Sequence, residues 1–346
     1  MAGGYITRMV LAQNMLLCLF TFVLALILSL YLTPVMGKAA LQFGIVDRPD
    51  GKLKKHKRPM PYLGGIAIYL SFLLALAFSK FEFNQEVLGL LLAGTIVLLL
   101  GLIDDLGFLK TWAKLAGQLI AVLVLVKSGI FIKLVFLPTY VSIPLTFLWL
   151  VAMINAFNII DVMDGLSAGV AFFATIAFFI VALLNGRTTI AIVAITLAGS
   201  LLGFMKYNFA PARIYMGDTG SMFLGLMLGA LAMIGSYTEK DVLGFFAPAV
   251  ILGIPIFDTC QVIVARWRKG LPFYQGSPDH YALLLRSAGL SVKGVILLSY
   301  AAAVILGGLG ILMMSLSSPS QVLIVSGLLV LVGILCIFLL QRIKVR

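Results

Sequence analysis

Charge, histidine and cysteine are all scarce in this chain. Only 11% of its 346 residues are charged and 62% are hydrophobic, with a mean hydropathy of +1.13. That balance excludes an ordinary soluble domain. Two histidines and three cysteines are too few for a His/Cys zinc site. Cys18, Cys260 and Cys336 lie inside apolar runs, where they read as small hydrophobes rather than a disulfide framework. No GxxxxGK(S/T) loop and no strand-borne GxGxxG occur, so P-loop and Rossmann nucleotide binding are excluded. The sequence also lacks an internal repeat, a low-complexity tract and any loop long enough to hold a soluble domain.

What remains is a series of apolar runs of membrane-spanning length. Eleven spans are expected, at about 14–34, 62–79, 87–103, 112–126, 141–160, 167–184, 189–205, 219–236, 242–264, 292–315 and 320–340. The fold class is therefore all-α, a polytopic membrane helix bundle that forms one integral-membrane domain over 1–346. Its first run is full length and its basic cluster follows rather than precedes it, so a retained span is expected instead of a cleavable signal.

Basic residues give the orientation. With the N-terminus outside and the C-terminus in the cytoplasm, one side collects 19 of the 25 Lys and Arg residues, including the run Lys52–Arg58. The positive-inside rule places that side in the cytoplasm. The net charge of +12 is then explained by topology and anionic lipid headgroups, and nucleic acid is not needed as a partner.

The acids follow a different pattern. Glu82, Glu86, Glu239 and Asp241 fall in external loops, and Asp47 and Asp50 in the first cytoplasmic loop. The other seven, Asp104, Asp105, Asp161, Asp164, Asp218, Asp258 and Asp279, come from five separate places yet all map to cytoplasmic helix ends or the loops beside them. Asp104 and Asp105 would close a helix at its C-terminal end, where the dipole disfavours anions. In NAFNIIDVMDG, Asn158, Asp161 and Asp164 are three residues apart, a spacing that puts them on one helical face. Asp218 directly precedes a span and reads equally well as an N-cap. Asp258, inside the membrane boundary, is expensive unless paired, and Arg266 two turns on is one partner. His56 reads as a solvated member of its charge run and His280 as a loop or capping residue.

Carboxylates gathered among cations suit a hard divalent cation held against phosphates, because Mg²⁺ takes one or two carboxylates and completes its shell with phosphate oxygens and water. Intramembrane carboxylates also mark secondary transporters, but those sites lie near the midplane on broken helices of repeats. Here the acids lie at one end.

Four motifs narrow the choice further. HKRPMPYLGGIAI, LIDDLGFLKTWAKLAGQ, NAFNIIDVMDGLSAG and NFAPARIYMGDTGSMFLG, in this order, resemble the polyprenyl-phosphate N-acetylhexosamine-1-phosphate transferase family over residues 34–290. The resemblance implies a ten- or eleven-helix bundle with a cytoplasmic cleft. The implied reaction uses Mg²⁺, with Mn²⁺ as an alternative, to join a sugar phosphate from a UDP-N-acetylhexosamine to undecaprenyl phosphate and release UMP. Membrane lipids are the remaining partner, with a homodimer left open.

By the same resemblance, Asp104 and Asp105 match paired aspartates credited with proton abstraction and lipid-phosphate positioning, and Lys114 matches the lysine after them. Asn158, Asp161, Asp164 and Gly165 match a helix end beside the nucleotide, with Asn158 also a candidate metal ligand. Asn208 matches a uridine-side asparagine, Asp218 a metal ligand, and Lys57 a cation near the entrance. Asp258, Arg266 and Arg268 lead into a substrate-recognition loop. There this chain departs from its relatives, which carry several histidines where SPDHYALLL offers His280 alone. Val162 also replaces a usual glycine. UDP-GlcNAc is the expected donor, and phospho-MurNAc-pentapeptide transfer is the alternative within the family.

Overall fold

A computed structural model describes residues 2–47, 59–79, 83–134, 136–234, 246–272, 278–316 and 318–343, with side chains from residue 13 onward. It is almost entirely helical: α1 Ala2–Gln42, α2 Gly64–Phe78, α3 Gln85–Asp105, α4 Thr111–Lys127, α5 Thr139–Ile160, α6 Leu166–Leu184, α7 Thr188–Asn208, α8 Gly217–Ile234, α9 Phe246–Ile251, α10 Gly253–Arg268, α11 Tyr281–Ser287, α12 Val292–Met313 and α13 Pro319–Leu340. The exception is one antiparallel ladder, β1 Val46–Asp47 with β2 Met60–Pro61.

Among the described residues, eight helices are long and apolar enough to cross a membrane. They are α1 from Gln13, α3, α5, α6, α7, α8, α12 and α13. The chain is a multi-pass membrane protein. α2 and α4 stand at expected spans but have only 15 and 17 residues. The span expected at 242–264 is not one helix: it breaks at Leu252 into α9 and α10. α1 runs past its expected end through Pro34 and Gly37 to Gln42, and the chain then turns at Gly44, whose φ is +70°.

Burial reports which helices face lipid. α8 is almost wholly buried and packs against α2, α3 and α5, whereas almost none of α13 is buried. An exposed apolar helix is stable only where acyl chains replace water. Cys260 is exposed too and is not the small core hydrophobe expected from its apolar run.

Close helix contacts use the glycines that open α2. The Gly65 N–H donates to the Met216 carbonyl at 3.0 Å, and a Cβ on Gly65 would come within 2.3 Å of the Gly220 nitrogen. Gly101 faces the first turn of α8 in the same way, where a Cβ would lie 2.5 Å from the Asp218 carbonyl oxygen. These approaches seat the C-terminal end of α3 and the N-terminal end of α2 on the start of α8. They fix where Asp105 meets Asp218.

Gly65→Val should therefore force backbones apart and cost about 1–3 kcal/mol, the usual penalty for overpacking. Thermal unfolding in detergent should show a lowered midpoint for it and none for Gly308→Ala, where a Cβ meets nothing within 4 Å. Equal midpoints would contradict this contact.

Candidate active site

Lys114, near the start of α4, is the centre of the site. Its Nζ lies 2.6 Å from Asp104 Oδ2 and 2.6 Å from Asp218 Oδ2, and it donates to Asn158 Oδ1 at 3.4 Å. Asn158 Nδ2 in turn donates to Asp218 Oδ1 at 2.8 Å and to Ser221 Oγ at 3.1 Å. The Lys114, Asp104 and Asp218 side chains are 17%, 20% and 32% exposed, shielded enough to strengthen the attraction yet reachable by a ligand. Four helices, α3, α4, α5 and α8, thus present one cation, two anions and an amide to a single point.

Asp105 is used differently. Its Oδ1 accepts from the Asp218 N–H at 2.8 Å, and its Oδ2 accepts from the Thr219 N–H at 3.0 Å and the Thr219 hydroxyl at 2.6 Å. The carboxylate that caps α8 is therefore Asp105, reaching across from another helix, and the N-cap role expected for Asp218 is corrected. Asp218 belongs to the first turn of α8, and its side chain is left for Lys114. The dipole conflict expected at the end of α3 is offset by the favourable one at the start of α8.

Asn158, Asp161 and Asp164 do not share a helical face. α5 ends at Ile160, Asp161 is its C-cap, and a turn runs to Gly165, whose φ of +72° suits a residue without a Cβ. The turn is pinned from α7 and the loop after it: Gly165 N–H donates to Asn208 Oδ1 at 3.0 Å, and Ala212 N–H to Asp164 Oδ2 at 2.9 Å. Asn208 Nδ2 donates onward to the Ile214 carbonyl. These contacts outcompete continuation of the helix.

The Asp161 side chain makes no hydrogen bond or ion pair among the described residues. Burial, then the charges of Asp218, Asp105 and Asp164, push its carboxyl up to about 8. Among the described residues nothing offsets them.

The second group of expected residues forms around Asp258, which is fully buried on α10. Its Oδ2 lies 2.9 Å from His280 Nδ1, and its Oδ1 accepts from the Tyr281 N–H at 2.8 Å. Lys269 and Asp279 pair at 2.6 Å, closing the loop that ends at His280. Asp258 thus pairs with the recognition segment itself. Arg266 is buried on the same helix, whereas Arg268 is exposed and donates to Gln341 Oε1 at 2.9 Å, at the end of α13. Lys57 lies outside the described residues.

Among the described residues, no group of three or more His, Cys, Asp or Glu side chains is arranged to hold a metal. The oxygens that converge on Lys114 are nevertheless all hard donors: two carboxylates and an amide. A cation bound there would need its shell completed by a ligand, the pattern Mg²⁺ adopts with phosphates.

A cavity of about 870 Å³ lies elsewhere, lined by residues 129–134, Phe136 and Leu137, α5, the end of α8 and α9. It contains none of the clustered aspartates, since it opens at the opposite ends of α3, α4 and α8. It is a largely apolar space, with Glu86, Lys133 and Arg187 in its lining.

Similarity to known proteins decides the family. The profile of glycosyl transferase family 4 matches residues 87–236. A probable undecaprenyl-phosphate N-acetylglucosaminyl 1-phosphate transferase of Bacillus subtilis (strain 168) is 32% identical over 298 residues, 84% of this chain and 83% of that protein. The chain belongs to glycosyl transferase family 4.

A further relative is a decaprenyl-phosphate N-acetylglucosaminephosphotransferase of Mycolicibacterium smegmatis, 32% identical over 80% of this chain and 77% of that protein. A phospho-N-acetylmuramoyl-pentapeptide-transferase of Halalkalibacterium halodurans is 33% identical over 77% of this chain and 87% of its own length. Membership makes the chain an enzyme of a transferase family. The family match contains Asp104, Asp105, Lys114, Asn158, Asp161, Asp164, Asn208 and Asp218, while Asp258, Arg266, Arg268 and His280 lie beyond it.

Sequence reading missed Thr219 and Ser221, although GDTGS sets both hydroxyls beside Asp218 in the first turn of α8. Spacing from the acid was the available signal.

The raised Asp161 carboxyl makes a prediction with a definite sign. The folded state retains a proton up to about pH 8 that the unfolded chain releases near pH ~4, so between those values wild-type stability falls as pH rises. Without divalent cation or substrate, Asp161→Asn should match wild type near pH ~5 and gain on it steadily towards pH ~8. Parallel melting midpoints across that range would contradict the assignment.

Proposed function

We propose that the chain transfers N-acetylhexosamine 1-phosphate from a UDP-sugar, UDP-GlcNAc first, to undecaprenyl phosphate, with release of UMP. The observation that carries this is the convergence of Asp104, Asp218, Asn158 and Lys114 on one point at the ends of four helices. The named activities of the relatives point the same way. The site faces the cytoplasm of the plasma membrane, on the side richer in Lys and Arg.

The residues divide the work by what they already hold. Lys114 is a cation placed between carboxylates, so an arriving phosphate can take it as a partner without the charge being brought out of water. Asp218 and Asp104, with the Asn158 amide oxygen, would hold Mg²⁺, which supplies charge neutralisation to the pyrophosphate. Asp105 keeps α8 in place and orients Asp218 through its backbone. Asp161, which keeps its own proton up to about pH 8, would donate a hydrogen bond to an arriving phosphate oxygen, and the lipid phosphate would attack as its dianion.

An oxygen of the lipid phosphate then attacks the sugar-linked phosphorus. The bond from that phosphorus to the bridging oxygen breaks, and UMP leaves in line. His280, fixed by Asp258 through Nδ1, serves the sugar or nucleotide of the donor.

The test uses purified protein, undecaprenyl phosphate, Mg²⁺ and labelled UDP-GlcNAc. UMP and a lipid-linked sugar pyrophosphate are expected. Asp164→Asn and Asp218→Ala should each lower kcat by at least about 100-fold, the scale of losing a preorganised charge. Glu86→Gln, at the other end of α3, should be silent. UDP in place of UMP would mean glycosyl transfer and would overturn the reading.

A further inference from the structure

Tyr300 lies on α12, beyond the family match and beyond the four sequence motifs. It is buried, and its hydroxyl donates to the Gly165 carbonyl at 2.6 Å. Gly165 is the left-handed residue that closes the turn carrying Asp161 and Asp164. Space for the ring is provided by Gly169, where a Cβ would come within 2.0 Å of Tyr300 Cε1. The ring also packs near Phe173 and Phe209, with centroids at 5.3 and 6.4 Å.

The hydroxyl is not required to satisfy that carbonyl. Gly165 O already accepts from the Gly169 N–H at 3.1 Å, so a phenylalanine would fill the same socket and leave no buried orphan acceptor. What the hydroxyl adds is a fixed distance between α12 and the turn. The preceding residue does the equivalent for the other half of the site. Ser299 Oγ accepts from the Tyr281 hydroxyl at 2.8 Å, and the Tyr281 N–H is held by Asp258 beside His280.

We propose that Tyr300 is a positioning residue, holding the Asp161–Gly165 turn at a set distance from the His280 segment, which Ser299 anchors on the same helix. This rests on the phosphotransfer reading of the site. Distance matters because a misplacement of about 1 Å in a reacting constellation can cost on the order of 100-fold in rate.

Tyr300→Phe should lower kcat about tenfold while both KM values stay within about twofold, the pattern of an interaction felt in the transition state. Its melting midpoint should stay within about 2 °C, because no acceptor is orphaned. Ser299→Ala should instead raise the donor KM several-fold with kcat nearly unchanged. Gly169→Ala, which displaces the ring but keeps the hydroxyl, should reproduce the kcat loss of Tyr300→Phe.

Hydrogen exchange supplies a readout independent of turnover: amides of residues 161–166 should exchange faster in Tyr300→Phe than in wild type, with other helices unchanged. A Tyr300→Phe enzyme with wild-type kcat, or with unchanged exchange in that turn, overturns the proposal. Failure of the reaction reading looks different. Wild-type protein would then release no UMP, while the exchange measurement would still decide whether the hydroxyl holds the turn.

Discussion

The ammonium of Lys114 is the interaction on which the arrangement depends. Asp104 and Asp218 come from helices that are far apart in sequence, and each would repel the other in a medium that screens poorly. One cation 2.6 Å from both turns that repulsion into a link between α3, α4 and α8, and Asn158 adds α5. Truncating one member of such a cluster leaves an uncompensated, partly shielded charge, which is destabilising. The same property makes the cluster responsive to ligands. A phosphate that engages Lys114, or a divalent cation that engages the carboxylates, substitutes for a partner already present.

Helix ends do the rest. The start of α8 is capped by a carboxylate from α3, so the two helices are joined by charge-assisted hydrogen bonds as well as by the close approach at Gly101. The turn after α5 is held by an amide from α7 and a hydroxyl from α12. Functional side chains are therefore attached to helix termini whose positions are fixed by packing deep in the bundle.

Much of this is legible in the sequence. Apolar run length marks the membrane helices, and the asymmetry of Lys, Arg and Asp points to one end of the bundle. Lys114, Asp104, Asp218 and Asn158 all stand in the polar motifs that close or open those runs, and they meet in space. Roles within the cluster are harder to read. Asp218 preceding a span looks like its cap, but a cap can come from another helix, and only the packing of α3 on α8 shows that Asp105 supplies it. The helical spacing of Asn158, Asp161 and Asp164 is real in the sequence and is overruled by tertiary hydrogen bonds to the Asp161–Gly165 turn. Tyr300 carries no signal at all, since one tyrosine in an apolar span is ordinary until its partner is seen.

The central claim is that the Lys114 cluster is where cation and phosphate charge are bound. Binding of Mn²⁺, followed by electron paramagnetic resonance with UDP-GlcNAc present, tests it without requiring turnover. Wild-type protein should bind one Mn²⁺ per chain, and Asp218→Asn should weaken that binding by about tenfold or more, since each carboxylate is a large share of so small a ligand set. Unaltered Mn²⁺ binding by Asp218→Asn would contradict the account.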